Sequence, residues 1–189
     1  MTTRKRLTAQ DWIEAGCAAL GRGGIAAVAV EPLAARLGTT KGSFYWHFAN
    51  RDALLEASLA QWERSETDAV IAVVEAEPDV ARRLRLLLAA ALQGGPPGRE
   101  GATVELALQP TADHPLVAPV LARVTRRRLD YLTAQFAALG FGPTEAARRA
   151  VLAYTSYLGH AQLAHATPGL APDDAGYVDT VIAVLTRGA

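Results

Sequence analysis

Apolar residues recur at three- and four-residue intervals along most of this chain, and no stretch alternates with period two over a useful length. That pattern predicts helices throughout and no sheet. Thr8 followed by Asp11 is a capping-box-like start, and Ile13, Gly16, Cys17 and Leu20 then repeat at helical spacing until the glycine run at 21–24 stops the helix. Residues 31–37 form a second, short helical pattern that ends at Gly38. A third begins at Thr40, an N-cap whose hydroxyl can accept from an early backbone N–H, and runs to Phe48. Asn50 caps a long helix to about Glu75, with Leu55, Leu59, Trp62 and Ala69 or Val70 along it. Pro78 opens the next, to Gln93, with Leu84, Leu87, Leu88 and Leu92 inward. The Gly- and Pro-rich run at 94–98 breaks the chain, and a short segment near 102–109 is ended by Pro110. Pro115 opens a helix through Leu121, Val124, Tyr131 and Phe136 to Gly140. Pro143 opens another that stops near Thr167, and Pro172 opens the last, which closes at Gly188. Proline at helix starts and glycine past helix ends is the expected asymmetry.

The most informative stretch is residues 38–48. Two short helices joined by a tight turn at Gly38 read as a helix-turn-helix, the unit that sets its second helix in the major groove of DNA. At 3.6 residues per turn Phe44 and Phe48 fall on one side and pack inward. The opposite side is centred on Gly42 and Trp46 and flanked by Tyr45, Ser43 and His47, with Lys41 in the first turn. Gly42 inside a helix costs about 1 kcal/mol relative to alanine; its use is a close approach of backbone to DNA. Tyr45 and Trp46 are alternatively core residues of a larger helical domain, and their exposure decides between the two readings.

Residues from about Leu7 to Leu55 resemble the N-terminal domain of the TetR family of bacterial transcriptional repressors. The run from Thr40 to Phe48 is similar to that family's recognition helix, and Asn50-Arg51-Asp52-Ala53-Leu54-Leu55 to the opening of its fourth helix. The resemblance implies an all-α fold: a three-helix helix-turn-helix domain over residues 1–50, then a helical ligand-binding and dimerisation domain over 51–189. It implies a dimer formed by the last two helices, which composition equally allows to close the monomer core instead. A twofold dimer presents two recognition helices about 34–36 Å apart and demands a palindromic operator. Phosphate contacts are expected from Thr40, Lys41, Tyr45, His47 and Arg51, and base contacts from Ser43, Trp46 and the surface at Gly42. A small hydrophobic or aromatic effector is expected in the second domain, with Trp62, Glu66, Leu108, Tyr131, Tyr154 and Tyr157 around it. The helix beginning at Asn50 joins the two sites, so an effector that prefers another tilt of it releases DNA.

Charge changes the picture only through its distribution. The 189 residues carry no formal net charge, yet residues 1–55 hold seven basic against four acidic side chains, a head of +3 on a body of −3. A basic head suits local phosphate contact. Arg4-Lys5-Arg6 is either an arm along the DNA or a solvated tail. The single Cys17, on an apolar stripe, reads as a small buried hydrophobe. No signal-like or membrane-length apolar run appears, so a cytoplasmic protein is expected. His160 and His165 lie about 140° apart around a helix, unlike metal ligands. No nucleophile motif or phosphate-cradling glycine pattern is present, so no enzyme, metal or cofactor is expected. The rival readings are a helical-bundle enzyme and a non-specific DNA-binding or dimerisation module.

Overall fold

The computed structural model describes residues 7–93, 101–167 and 169–188, with only the backbone of residues 101–103. The basic run at 4–6 and the glycine- and proline-rich break at 94–98 lie outside the described residues. Ten α-helices and no strand are present among them: α1 (Ala9–Gly23), α2 (Val30–Arg36), α3 (Lys41–Phe44), α4 (Arg51–Glu63), α5 (Ala69–Val74), α6 (Val80–Leu92), α7 (Gly101–Leu108), α8 (Ala118–Ala138), α9 (Pro143–Ala166) and α10 (Ala175–Thr186). The architecture is therefore all-α, as the periodicity predicts. A 3₁₀ turn, Gly24–Ala27, links α1 to α2, and a π-helical turn, Arg64–Asp68, joins α4 to α5 into one long bent rod.

Local chemistry sets most boundaries. The Thr8 hydroxyl accepts from Asp11 N–H while the Asp11 carboxylate accepts from Thr8 N–H, completing the capping box of α1. Asn50, Asp79 and Asp174 cap α4, α6 and α10 with the side-chain oxygen alone, accepting from Ala53, Arg82 and Tyr177 N–H. Two expectations shift. The helix thought to open at Pro115 starts at Ala118, because residues 112–117 close as consecutive turns and Pro119 takes the first-turn position. The buried face of α1 is Trp12, Ala15, Gly16, Ala19 and Leu20, one position round from the predicted stripe, with Ile13 and Cys17 half-buried at its edge. Trp12 turns the face inward because it has an aromatic partner: its ring meets Phe44 edge-on at 5.3 Å.

Two apolar cores result. The first gathers Trp12, Leu20, Val28, Leu33 and Phe44 with Leu54, Leu55, Leu59 and Trp62 from α4, Leu108 from α7, and Val120 and Val124 from α8. Residue 50 is thus a boundary in sequence that the packing crosses. Gly24 shows how tightly, since a Cβ there would lie 2.6 Å from the carbonyl oxygen of Ala107. The second core joins Leu84, Leu88 and Leu92 of α6 to Leu132, Phe136, Ala150, Tyr154, Val178 and Leu185 from α8, α9 and α10. The inner faces of the last two helices therefore do close this core. Their outer faces still leave Val151, Leu152, Leu163 and Val184 exposed.

Candidate nucleic-acid interface and effector cleft

The turn between α2 and α3 is built by one residue. Gly38 sits at φ +65°, where a side chain is strained, and the N–H groups of Gly38 and Thr39 bond back to Ala35 and Ala34 at 3.1 and 2.9 Å. α3 follows as a single α-helical turn that runs on through tight turns to His47, with His47 N–H and Phe48 N–H both on the Phe44 carbonyl. The expected helix from Thr40 to Phe48 is thus shorter than one regular helix. Thr40 occupies the cap position with extended backbone, but its hydroxyl caps nothing. Its own carbonyl takes the Ser43 N–H at 3.0 Å, which satisfies the donor the hydroxyl would have served.

Phe44 anchors this segment. It is fully buried, edge-on to Trp12 and stacked at 5.5 Å on Phe48, which is only half-buried. Burying such a ring stabilises by about 1.5–3 kcal/mol, and it turns the other side of the segment outward. Trp46 is 87% exposed and Tyr45 55%, an arrangement no core assignment accommodates. Thr40, Lys41 and Gly42 are exposed beside them, with Ser43 and His47 half-buried. At Gly42 an added Cβ would meet only the Thr40 hydroxyl, at 3.7 Å, and the backbone there is not left-handed. Among the described residues nothing requires a glycine at this position, and the backbone there is open to approach from outside.

Two of the expected phosphate contacts already have partners. Lys41 Nζ lies 2.8 Å from Glu31 on α2, and this hydrogen-bonded pair raises the lysine pKa and lowers that of the acid. The Arg51 guanidinium donates to the Val28 carbonyl at 2.8 Å and to the Ile25 carbonyl, and also meets Asp52. Arg51 therefore staples the 3₁₀ turn and the residue that follows it to the start of α4. In this structure its donors meet carbonyls of the segment before α2.

The body holds an open-sided cleft of about 570 Å³ between α7, α8 and α9, bounded by Glu105, Leu121, Thr125, Leu129, Tyr154 and Leu158 among others. Of the six residues expected to line an effector site, only Tyr154 borders it. Leu108 and Trp62 are buried in the first core. Glu66 offers its backbone carbonyl to Arg128 rather than its side chain to the cleft. Tyr131 is half-buried near Glu75 and Arg83, where burial raises its phenol above the usual range. Tyr157 does not border the cleft, and its hydroxyl donates to Glu105 Oε2 at 3.1 Å. The spread has one cause: spacing along a helix gives the inward face, and both a core and a cleft are inward.

The residue that sequence reasoning missed is Glu105, 2% exposed and bordering the cleft. Its Oε1 accepts from the Tyr154 hydroxyl, and its Oε2 accepts from Tyr157 Oη at 3.1 Å and from Arg128 Nη1 at 2.6 Å. Burial first, then the Glu105 charge, pushes the Tyr154 phenol up to about 12. Arg128 in turn donates to Thr67 Oγ1 at 3.0 Å and to the Glu66 carbonyl at 3.1 Å, and its guanidinium stands 5.8 Å from the ring centres of both Trp62 and Tyr157. Arg123 and Arg127 on the same helix pair with Glu63 and Asp68. So one face of α8 bounds the cleft while another grips the π-helical turn of the α4–α5 rod.

Residues 13–58 match the family model for bacterial regulatory proteins of the tetR family. A transcriptional regulator from Rhodococcus sp. Rha1 has a similar structure, with TM-score 0.78 and 22% identity over 95% of this chain and 94% of that one. AibR, in complex with isovaleryl coenzyme A and operator DNA, aligns with TM-score 0.69 and 19% identity over 94% and 97% of the two chains. A TetR-family member from Streptomyces coelicolor A3 gives TM-score 0.65 and 27% identity over 96% and 98%. No curated protein matches the sequence.

Proposed function

We propose that this chain, which belongs to the tetR family of bacterial regulatory proteins, is a repressor that binds a palindromic operator as a homodimer and leaves it when a small hydrophobic or aromatic effector enters the body. The family and the similar structures are transcriptional regulators rather than enzymes. The observation that carries the DNA half of this reading is the outward face of α3, where Trp46 and Tyr45 are exposed beside the open backbone of Gly42. Thr40, Lys41, Tyr45 and His47 are assigned to the phosphates, and Ser43, Trp46 and the Gly42 surface to base edges. Lys41 exchanges Glu31 for a phosphate on binding. Arg51 acts by holding α4 against the reading unit.

The dimer is assigned to α9 and α10, supported by the exposed Val151, Leu152, Leu163 and Val184. No helix is long and apolar enough to cross a membrane among the described residues, and a DNA partner argues for the cytoplasm. Effector response is supported by α8, which both bounds the cleft and grips the rod whose first turn follows the recognition segment. That AibR, a protein of similar fold, is in complex with both isovaleryl coenzyme A and operator DNA supports a chain that takes a small molecule as well as DNA.

The test is selection of bound sites from a random duplex pool by the purified chain. An inverted repeat with half-sites one helical turn apart is expected. Lys41→Ala should weaken binding to all sequences and reduce the salt slope by about 1, while Trp46→Ala should change which sequences are selected. A pool without dyad symmetry, or Trp46→Ala selecting the parental sequences, refutes this reading.

A further inference from the structure

The geometry points to an organic amine with an apolar body as the effector class, its N–H donated to Glu105 at the floor of the cleft between α7, α8 and α9. The inference rests on the effector reading above and names the chemistry of its ligand. A carboxylate offers about four lone-pair positions. Among the described residues Glu105 uses three: Tyr157 and Arg128 on Oε2, and Tyr154 on Oε1. One position on Oε1 is left. Glu105 itself borders the cleft, whereas Arg128 stands behind it against Trp62, Thr67 and Glu66. A ligand entering from solvent therefore meets the negative oxygens before the positive guanidinium.

The walls agree with that polarity. Leu121, Leu129 and Leu158 supply an aliphatic lining, with the exposed Asp130 adding a second acid and Arg126 the one cationic side chain among the described residues. A neutral hydrocarbon would leave the buried acceptor unused. A carboxylate would bring a like charge against Glu105 and supply no donor to it. A protonated primary or secondary amine supplies the missing donor, and a charge-assisted hydrogen bond is about twice as strong as a neutral one. The same event reaches the rod. Glu105 shared with a second cation holds Arg128 less firmly, and Arg128 is what ties α8 to residues 66 and 67.

The experiment is calorimetric titration of the intact chain with n-octylamine, with n-octanol, octanoate and octyltrimethylammonium as probes of the same chain length. Octylamine should bind roughly tenfold or more tightly than each of the others, the quaternary ion included because it lacks an N–H. Glu105→Gln should reduce octylamine to the level of octanol. Because that variant alters a buried network, Ala122→Trp at the exposed rim of the cleft serves as the second variant and should abolish binding of the amine. Equal affinity for octylamine and octanol, both lost in Ala122→Trp, overturns the amine assignment and leaves the effector cleft standing. Octanoate binding most tightly overturns it in the same way. Octylamine binding that survives Ala122→Trp, or no saturable binding up to the solubility limit, overturns the site itself.

Discussion

Replacing Arg128 by methionine isolates the ion pair at the centre of the body. Methionine keeps much of the side-chain volume, so the change removes charge and hydrogen bonds more than packing. At 2.6 Å and an effective dielectric near 20, Coulomb's law gives about 6 kcal/mol of gross attraction. Most of that is offset by taking two ions out of water. The cost of Arg128→Met is set instead by what remains: Glu105, 2% exposed, left with two tyrosine donors and no cation. Breaking one side of a buried pair costs about 3–5 kcal/mol, a large part of the 5–15 kcal/mol that holds an ordinary domain folded. Urea unfolding followed by circular dichroism at pH 7 and fixed protein concentration measures it. The double variant Glu105→Gln/Arg128→Met removes the stranded charge and should recover a substantial part of the loss. An Arg128→Met variant within about 1 kcal/mol of the parent at pH 7, with single effects that simply add in the double, would refute a stabilising pair.

Other consequences are open to simpler assays. Gly24→Ala should destabilise by more than about 1 kcal/mol in urea unfolding, since the backbone is left-handed and a Cβ would lie 2.6 Å from the Ala107 carbonyl. Gly159→Ala, in a helix with nothing within 4 Å of the added carbon, should leave protomer stability equal or higher. Trp46→Ala should change stability by less than about 0.5 kcal/mol because its ring is 87% exposed, so any loss of DNA binding is loss of contact. Burial raises the Cys17 thiol from the usual value near 9 to about 11. Its reaction with a disulfide reagent at pH 8 should run about 100-fold slower than in the unfolded chain. Since the folded state keeps this proton, the parent should lose stability relative to Cys17→Ala as pH climbs from 9 to 11. A flat difference between the two across that range would count against the burial argument.

The amino-acid sequence determined the parts of this protein that depend on near neighbours. Thr8 with Asp11, Asn50 with Ala53, and Gly38 at its turn act over three to five residues, and a reader of the chain recovers them without a structure. The split of residues 44 and 46 between inside and outside was equally legible, because 3.6 residues per turn puts Phe44 and Trp46 on opposite sides. Tertiary structure decided everything that needs two distant segments to meet. Arg51 looks like a free cation until Ile25 and Val28 bring their carbonyls to it across some two dozen residues. Glu105 looks like one acid among nineteen until Arg128 and Tyr154, 23 and 49 positions away, close around it. Periodicity reports which face of a helix avoids water. It carries no information on whether that face meets another helix tightly or leaves a gap between three of them, because the gap is a property of the packing and belongs to no single segment.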